Sequence, residues 1–535
     1  MKEDKVVVDV EYHSTHSVEP AVSEPSVAAR LFYAQRSLEK QYEEVRSDSS
    51  IGWWHDWVHS TLYIKALKPK TNSYQTWKNE KLAIRSSHWL PCAGLLTSEI
   101  MGATLIPNSY SLVGYVPGNL ILVVCFFLTL MAGGICWWLF LLFDSPEYPI
   151  KSFSEIAKIL GGETWAQIVI FLQVIAMLLT GANIAISSLE SMVILQDARY
   201  CWTGLLIALC AALGVVSSLK TFSNVGKFCL VVSAINYVNL FVQLGYFGEP
   251  NWANAKNLLG LDKDTIMTYV VAPQSLVNKL VAVSNISYVF AGSVVFPEII
   301  SEMKRPWDFW KSMIAAQSAI VCIYLIYGNY VYSQQGQFSN SPSVFGLSNM
   351  TALKGLSVIT FIVGVFQAVF YGHVNTKIIY KNYLPRIFHD LDIRSKKGQL
   401  LWYVSTAIVW AIIYIVATGV PNVASISAFT SALTMIPLTY VIPFWFYIWA
   451  AFMKTNAELI EDYNEATMEA TGYQRPLVAF VKNGFRKHGL ITVFYVCLTL
   501  ASLSFACLGL YGSVEYMKAI FATTPATSFS CTSPI

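Results

Sequence analysis

Two short stretches of this 535-residue chain combine residue types that could bind a charged small molecule in an apolar environment. The first, residues 98–107, places a carboxylate, a glycine and a proline inside an apolar run over residues 89–113. Glycine lowers the cost of unwinding a helix and proline lacks an N–H, so we expect a helix break between Gly102 and Pro107. Backbone groups freed at such a break could line a cavity, and the restarting helix would point its positive end at a bound anion.

The second stretch repeats the first, because Gly292 and Pro297 have the same spacing inside an apolar run over residues 275–300. A pair of glycine- and proline-interrupted spans in two matching halves is typical of a transporter site between inverted repeats. We expect the first interruption to face a substrate carboxylate through the backbone N–H groups of Gly102, Ala103 and Thr104. The second would offer carbonyls to an ammonium, and a side-chain wall, at Ser287, Tyr288, Val289, Phe290, Ala291 and Gly292.

Two ionisable side chains in the apolar runs are candidates for proton coupling. An acid in a membrane-spanning helix costs about 2.5–3.5 kcal/mol even on the gentlest scales unless it is protonated, paired or hydrated. Glu99 is therefore the leading candidate for a proton carrier, and the alternative is a neutral glutamate whose permanent hydrogen bond holds the helices together. His373 titrates near neutrality and could relay a proton, or it could be structural.

Three polar residues share one face of the third apolar run. Asn183, Ser187 and Glu190 are spaced at i, i+4 and i+7, which places them on one side of a helix. We expect Asn183 to contact the substrate. Glu190 could line the same pathway, or it could pair with Arg199 or Lys279 near the outer end.

Composition places the chain among polytopic membrane proteins. Hydrophobic residues make up 55% of the chain and charged residues 13%, which is too apolar for a soluble enzyme of this length. The net charge of +3 gives no indication of a nucleic-acid partner, and no Cys/His spacing suggests a metal or another cofactor. Eleven apolar runs are long enough to cross a bilayer: residues 89–113, 116–142, 165–195, 201–218, 226–247, 275–300, 313–332, 353–379, 399–418, 424–450 and 490–511.

The distribution of lysine and arginine predicts the orientation of these spans. Basic residues concentrate in alternate loops, which favours a cytoplasmic N-terminus and an extracytoplasmic tail over residues 513–535.

Eight of the ten cysteines fall within apolar runs, so only Cys201 and Cys531 could face an oxidising compartment.

Residues 1–88 precede the first span and are expected to be cytoplasmic. They contain no signal peptide, and the part up to about Ala29 has the composition of a disordered segment. Further on, Trp53, Trp54 and Trp57 could form an amphipathic patch on the membrane surface. Equally, these aromatics could pack against the cytoplasmic mouth of the membrane domain as a plug or latch.

Three motifs in order resemble those of the amino acid/auxin permease family. Residues 102–107, followed by 112–118, look like the signature of the first helix in that family. Residues 296–309 resemble the segment where its sixth helix ends. Residues 372–377 resemble the end of the eighth helix in its fungal neutral amino acid permeases. The resemblance implies an all-α leucine-transporter-type fold with two inverted repeats of five helices. In this chain the membrane domain would cover residues 89–512, with repeats at 89–247 and 275–450 and an eleventh helix at 490–511. The family's commoner pattern differs at Ala103, Thr104 and Asn108, so the resemblance does not determine the identity of the substrate.

The resemblance implies a secondary active transporter. An enzyme is disfavoured separately, because no nucleophile or nucleotide motif is present. We expect it to import neutral amino acids, with bulky or aromatic ones as candidates, together with protons by alternating access across a plasma membrane. Sodium coupling and export from a vacuole are alternatives within transport. An amino acid receptor that signals with little flux is the alternative from another class.

Overall fold

The computed structural model describes residues 26–48, 52–63, 85, 87–196, 199–218, 225–248, 266–384, 395–420, 422–460, 462–464, 469–471, 476–523, 529 and 531. Within these ranges the chain is helical apart from one antiparallel pair of three-residue strands, β1 (Asp462–Asn464) and β2 (Glu469–Thr471). The expected all-helical architecture is therefore confirmed.

The helices before the second interruption are α1 (Val27–Asp48), α2 (Gly52–Leu62), α3 (Trp89–Thr97), α4 (Ile106–Val113), α5 (Tyr115–Phe143), α6 (Phe153–Leu195), α7 (Trp202–Ser217), α8 (Val225–Gly248) and α9 (Leu276–Tyr288). Those after it are α10 (Phe296–Ser301), α11 (Phe309–Gln335), α12 (Met350–Asn382), α13 (Lys396–Gly419), α14 (Val423–Thr430), α15 (Ile442–Ala457) and α16 (Leu477–Thr523). Two 3-10 segments, Ser98–Leu105 and Ala291–Val295, connect α3 to α4 and α9 to α10. Two π-helical segments, Ser431–Met435 and Pro437–Val441, connect α14 to α15.

Local sequence explains where several helices begin. Asn349, Ser395 and Asn422 cap α12, α13 and α14, because each side chain accepts a hydrogen bond from a backbone N–H of the first turn. Pro107 and Pro297 lie in the first turn of α4 and α10, where the missing N–H of proline breaks no helical hydrogen bond. The two prolines therefore start helices rather than kink them.

Most of the eleven expected apolar runs correspond to helical elements that are long enough to cross a membrane. In the described part of the chain, nine helical elements are long and apolar enough to span a bilayer. The bent pair made by Leu276–Tyr288 and Ala291–Ser301 adds a tenth, and the apolar helix Trp202–Ser217 is shorter. These elements correspond to the eleven expected apolar runs.

The first two helices pack against one end of the bundle, which we call the N-terminal face. Trp307, fully buried between α10 and α11, donates a hydrogen bond from Nε1 to Nδ1 of His55 at 2.6 Å. Tyr42 of α1 stacks on His59 of α2 with ring centroids 4.1 Å apart and lies 6.2 Å from the Trp307 ring. Lys454 of α15 donates to the carbonyl of Thr61.

These contacts decide between the two expectations for the N-terminal tryptophans, in favour of packing against the bundle. Trp54 lies 6.1 Å from Trp310 of α11, whereas Trp57 is 55% exposed. The side chain of Trp53 lies outside the described part of the structure. Disorder was expected up to about residue 29, but α1 already begins at Val27, and residues 1–25 are not among those described.

The opposite end of the bundle contains a disulfide bond, and we call it the disulfide face. Cys201, at the start of α7, is bonded to Cys531 near the end of the chain. The backbone N–H of Trp202 also donates to the Cys531 carbonyl at 3.2 Å, and the N–H of Phe529 donates to the carbonyl of Thr418 at the end of α13. The C-terminal tail is therefore tied to the loop between α6 and α7.

We predict that acidification loosens the docking of α2. Burial and the nearby charge of Lys311 lower the pKa of His55 below its ordinary value of about 6.5, and Asp308 and Asp56 oppose this shift. The docked state therefore binds fewer protons than the released state. Docking should be strongest above about pH 6.5 and weaken below it, by at most about tenfold per pH unit for one proton.

Hydrogen-exchange protection factors of α2, corrected for the intrinsic rate, would measure this at pH 7.5 and 5.5. His59 also has a pKa lowered by burial, so the control is the double variant H55N/H59Q, which keeps hydrogen-bonding side chains but cannot titrate. If the double variant loses protection on acidification as strongly as the wild type, the two histidines are not the cause.

Candidate functional site

A cavity of about 110 Å³ lies in the centre of the helical bundle, between the two interrupted helices. The first interruption contributes Gly102 and Thr104, and the second contributes Ala291 and Gly292. Walls from α6, α8 and α12 complete it, so that the elements around the cavity come from both halves of the chain. The polar side chains on these walls are Thr180, Asn183, Ser187, Asn236, Asn239, Thr360 and Gln367.

The first interruption is a 3-10 segment rather than an unwound loop. Regular α-helix ends at Thr97, and α-helix resumes at Ile106, whose N–H donates to the carbonyl of Ala103. The departure from α-helix therefore begins several residues before Gly102, earlier than expected. A Cβ added to Gly102 would lie 2.4 Å from Cγ1 of Val289, so only glycine lets the two interruptions come this close.

The second interruption bends the chain by 46° between α9 and the 3-10 segment that leads into α10. Its carbonyls are hydrogen-bonded by side chains of neighbouring elements. Tyr324 Oη donates to the carbonyl of Val289 at 3.2 Å, Thr129 Oγ1 to that of Phe290 at 3.3 Å, and Thr439 Oγ1 to that of Ala291 at 3.4 Å. Gln173 Nε2 donates to the carbonyl of Val294 at 3.1 Å. The surrounding helices thus hold the bent backbone in place.

Several polar atoms on the cavity wall have no hydrogen-bond partner within the described structure. They are Oδ1 of Asn183, Oδ1 of Asn239 and Oγ1 of Thr180. All three residues are buried, with exposures of 5%, 2% and 4%. Asn183 donates from Nδ2 to Tyr288 Oη at 3.3 Å and Asn239 from Nδ2 to Thr360 Oγ1 at 3.2 Å, so both amide oxygens remain as acceptors. A buried acceptor without a partner is costly unless a ligand or water supplies a donor.

The described part of the cavity wall carries no charged side chain. Among the described residues that line it, none is an Asp, Glu, Lys, Arg or His. Apolar lining comes from Leu95, Met177, Val295, Phe370 and Met435, among others. A neutral polar site with an apolar wall suits a molecule whose own charges cancel.

The structure brings together most of the residues proposed from the sequence. Gly102, Thr104, Asn183, Tyr288, Val289, Ala291 and Gly292 all line the cavity. Three others do not: Ala103 is fully buried in an apolar cluster, Ser287 donates to the carbonyl of Val283, and Phe290 packs edge-on against Tyr324. Whether the lining residues bind substrate stays a prediction.

Of the two residues proposed for proton coupling, only His373 has a described side chain, and it does not line the cavity. The side chain of Glu99 lies outside the described part of the structure, although its backbone belongs to the first 3-10 segment. His373 faces α7 and α13, where its Nδ1 is 3.2 Å from the carbonyl oxygen of Ser217 and its ring is 5.4 Å from that of Trp402. Asn108, a departure from the family pattern, donates to the carbonyl of Ser339.

A family model described as transmembrane amino acid transporter protein matches residues 85–461. This match covers most of the chain, including both interruptions and all the cavity walls. The chain belongs to this family. The family consists of transporters rather than enzymes, as the sequence motifs implied.

Curated relatives of this amino acid transporter family member come from fungi. The N amino acid transport system protein of Neurospora crassa is 23% identical over 172 residues, covering 32% of this chain and 36% of that protein. A transmembrane transporter of Gibberella moniliformis is 25% identical over 295 residues, covering 53% of this chain and 60% of that protein. A second one, of Fusarium pseudograminearum, is 24% identical over 252 residues, covering 46% of this chain and 52% of that protein. The chain thus spans about a third to three fifths of the length of these relatives.

Among solved structures, the chain is similar to MHP1, a nucleobase-cation-symport-1 family transporter, in a closed conformation with bromovinylhydantoin bound. The match covers 84% of this chain and 96% of that one at 12% identity, with a TM-score of 0.46. A likeness this distant says nothing about the substrate of the present protein.

Part of the cavity wall was not predicted from the sequence. Thr180, Asn236, Asn239 and Thr360 lie there although no motif singled them out. The available signal was their polarity within otherwise apolar helices. That signal is weak, because polar residues in membrane helices also hydrogen-bond to one another.

We predict that replacing Gly102 of this transporter family member with alanine damages the site. The added methyl would overlap Val289 and lie 2.9 Å from Tyr324 Oη, so the two interruptions must separate. Overpacking of this kind costs about 1–3 kcal/mol. Substrate affinity should therefore fall by about tenfold or more, measured by binding to purified protein.

Gly134→Ala is the matched control, because a Cβ added to Gly134 of α5 meets no atom within 4 Å among the described residues. Gly134→Ala should bind substrate as the wild type does. Equal affinities for the two variants would show that the close approach at Gly102 is not needed.

Proposed function

We propose that the protein is a secondary active transporter that imports neutral amino acids, including bulky ones, together with protons by alternating access. The observation that carries this proposal is the cavity between the two interrupted helices, whose described lining carries no charged side chain and offers unpaired acceptors on α6 and α8. A neutral amino acid is a zwitterion, so it needs donors for its carboxylate and acceptors for its ammonium but no net countercharge. Family membership supports amino acids as the substrate class.

The substrate would lie with its ammonium toward Oδ1 of Asn183 and Oδ1 of Asn239. Carbonyls of the second interruption are a weaker choice than the sequence suggested, since those of Val289, Phe290 and Ala291 already accept hydrogen bonds from side chains. The carboxylate would face the first interruption, near Gly102 and Thr104. The side chain of the amino acid would contact the apolar wall.

We infer that the N-terminal face is cytoplasmic and the disulfide face extracytoplasmic, in the plasma membrane. Two independent observations support this orientation. Basic residues concentrate in the loops that would then be cytoplasmic. The Cys201–Cys531 bond lies at the opposite end of the bundle, and disulfides persist in oxidising compartments.

Uptake into proteoliposomes under imposed gradients tests this proposal. A radiolabelled neutral amino acid should accumulate when the outside is acidic and should ignore a sodium gradient. Accumulation that follows sodium instead would point to sodium coupling. Binding without accumulation under either gradient would leave a receptor as the function.

We also predict that Asn239→Leu raises the KM for a neutral amino acid. The substitution keeps the volume of the side chain and removes the acceptor proposed for the ammonium, and hydrogen bonds to charged groups contribute about 1.5–3 kcal/mol. The KM should therefore increase by about tenfold to a hundredfold in initial-rate uptake.

Thr360→Val is the matched control for this variant. It removes the acceptor of the Asn239 Nδ2 hydrogen bond but leaves Asn239 Oδ1 in place, so its KM should rise much less. A larger effect of Thr360→Val than of Asn239→Leu would contradict the assignment of the ammonium position.

A further inference from the structure

Glu190 of α6 is a buried carboxyl group that pairs with no other described residue. Its exposure is 5%, and Oε2 accepts no hydrogen bond from any described residue. The sequence left open an ion pair with Arg199 or Lys279, but neither pairs with it in the described structure, and Arg199 is exposed to solvent.

The helices around this part of α6 are α7, α12, α13 and α14, which share a buried apolar cluster with Ile186, Leu189 and Val193. Among the described residues, α7 contributes the titratable group of Cys210, and α14 contributes none. On the same half of the bundle, α12 carries Lys354 and α13 carries Tyr414. The remaining basic residues of these two helices, such as Lys396 and His373, belong to the half nearer the N-terminal face. No basic side chain on the described parts of these helices therefore pairs with Glu190.

Glu190 also occupies a defined position relative to the cavity. It shares a helix face with Asn183 and Ser187, both of which line the cavity. Seven residues separate it from Asn183, which is roughly 10 Å along a helix axis, toward the disulfide face. The carboxyl therefore lies on the polar stripe of α6 between the cavity and that end of the bundle.

An ionised carboxylate in this position would have no cation among the described residues and, at the buried Oε2, no hydrogen-bond donor, a combination that is costly in an apolar interior. This environment therefore favours the neutral, protonated carboxyl group over the ionised one. If the bundle opened toward the disulfide face, water would reach the carboxyl and it could ionise. Closing the bundle again would require a proton first.

We propose that Glu190 is the proton-binding group that couples substrate transport to the proton gradient. The assignment rests on the proposed function. A proton from the solution at the disulfide face binds the carboxylate of Glu190 and forms the neutral carboxyl group, which can then be buried as the bundle closes. After the cavity opens to the N-terminal face, water reaches the helix face at Asn183 and Ser187, and the same proton leaves to that solution.

Three variants test the assignment in proteoliposomes with a pH gradient. For one proton per substrate, the wild type should accumulate substrate about tenfold per pH unit. Glu190→Gln should lose this accumulation and exchange substrate at a rate that no longer depends on pH. Glu190→Asp, which can still bind a proton, should recover accumulation in part. Glu163→Gln on the same helix is the matched control, since Glu163 is exposed and paired with Lys158, and it should behave as the wild type.

The outcomes separate this inference from the proposed function. A wild type that ignores the pH gradient contradicts proton coupling itself. A wild type and a Glu190→Gln variant that both follow the gradient overturn the role of Glu190 only, and loss of accumulation in Glu99→Gln would then move the role to Glu99. If Glu190→Gln is inactive in exchange as well, Glu190→Asp decides: exchange without accumulation in that variant also overturns the proposal.

Discussion

Backbone carbonyls at the bend between α9 and α10 must find hydrogen-bond donors inside the protein, because a bilayer supplies none. The donors come from four different elements: Thr129 on α5, Gln173 on α6, Tyr324 on α11 and Thr439 in the second π segment. The bend can therefore exist only where those elements converge. The same convergence leaves a space beside the first interruption, so the cavity is a consequence of satisfying the bent backbone.

The contact between Gly102 and Val289 gives this arrangement its narrow tolerance. Because the two interruptions touch, a shift in either segment changes the shape of the cavity and the distance between its donors and acceptors. The lack of charged side chains on the described cavity wall has a related cause. A charged side chain in such a small buried space would require a partner of opposite charge, and a zwitterion would then have to compete with that partner.

The sequence was sufficient to predict the membrane class, the apolar runs and the two glycine- and proline-containing interruptions, but not the π-helical segments between α14 and α15. Those features depend on local signals, namely the length of apolar runs and the positions of Gly102, Pro107, Gly292 and Pro297. Asn239 could not be predicted in the same way, because its place on the cavity wall depends on how α8 packs against α12. The pairing of α2 with Trp307 likewise joins residues about 250 positions apart. No periodic pattern encodes such a meeting.

The bond between Cys201 and Cys531 closes a ring that contains every helix from α7 to α16. Helix α16 lies at the margin of the bundle, where it packs against α9 and α15 and leaves most of its apolar surface exposed. Because of this covalent link, cleavage of the chain between α15 and α16 would not release α16. A nick within residues 461–475 would leave two polypeptides that still migrate as one molecule, and a thiol reagent would be required to part them.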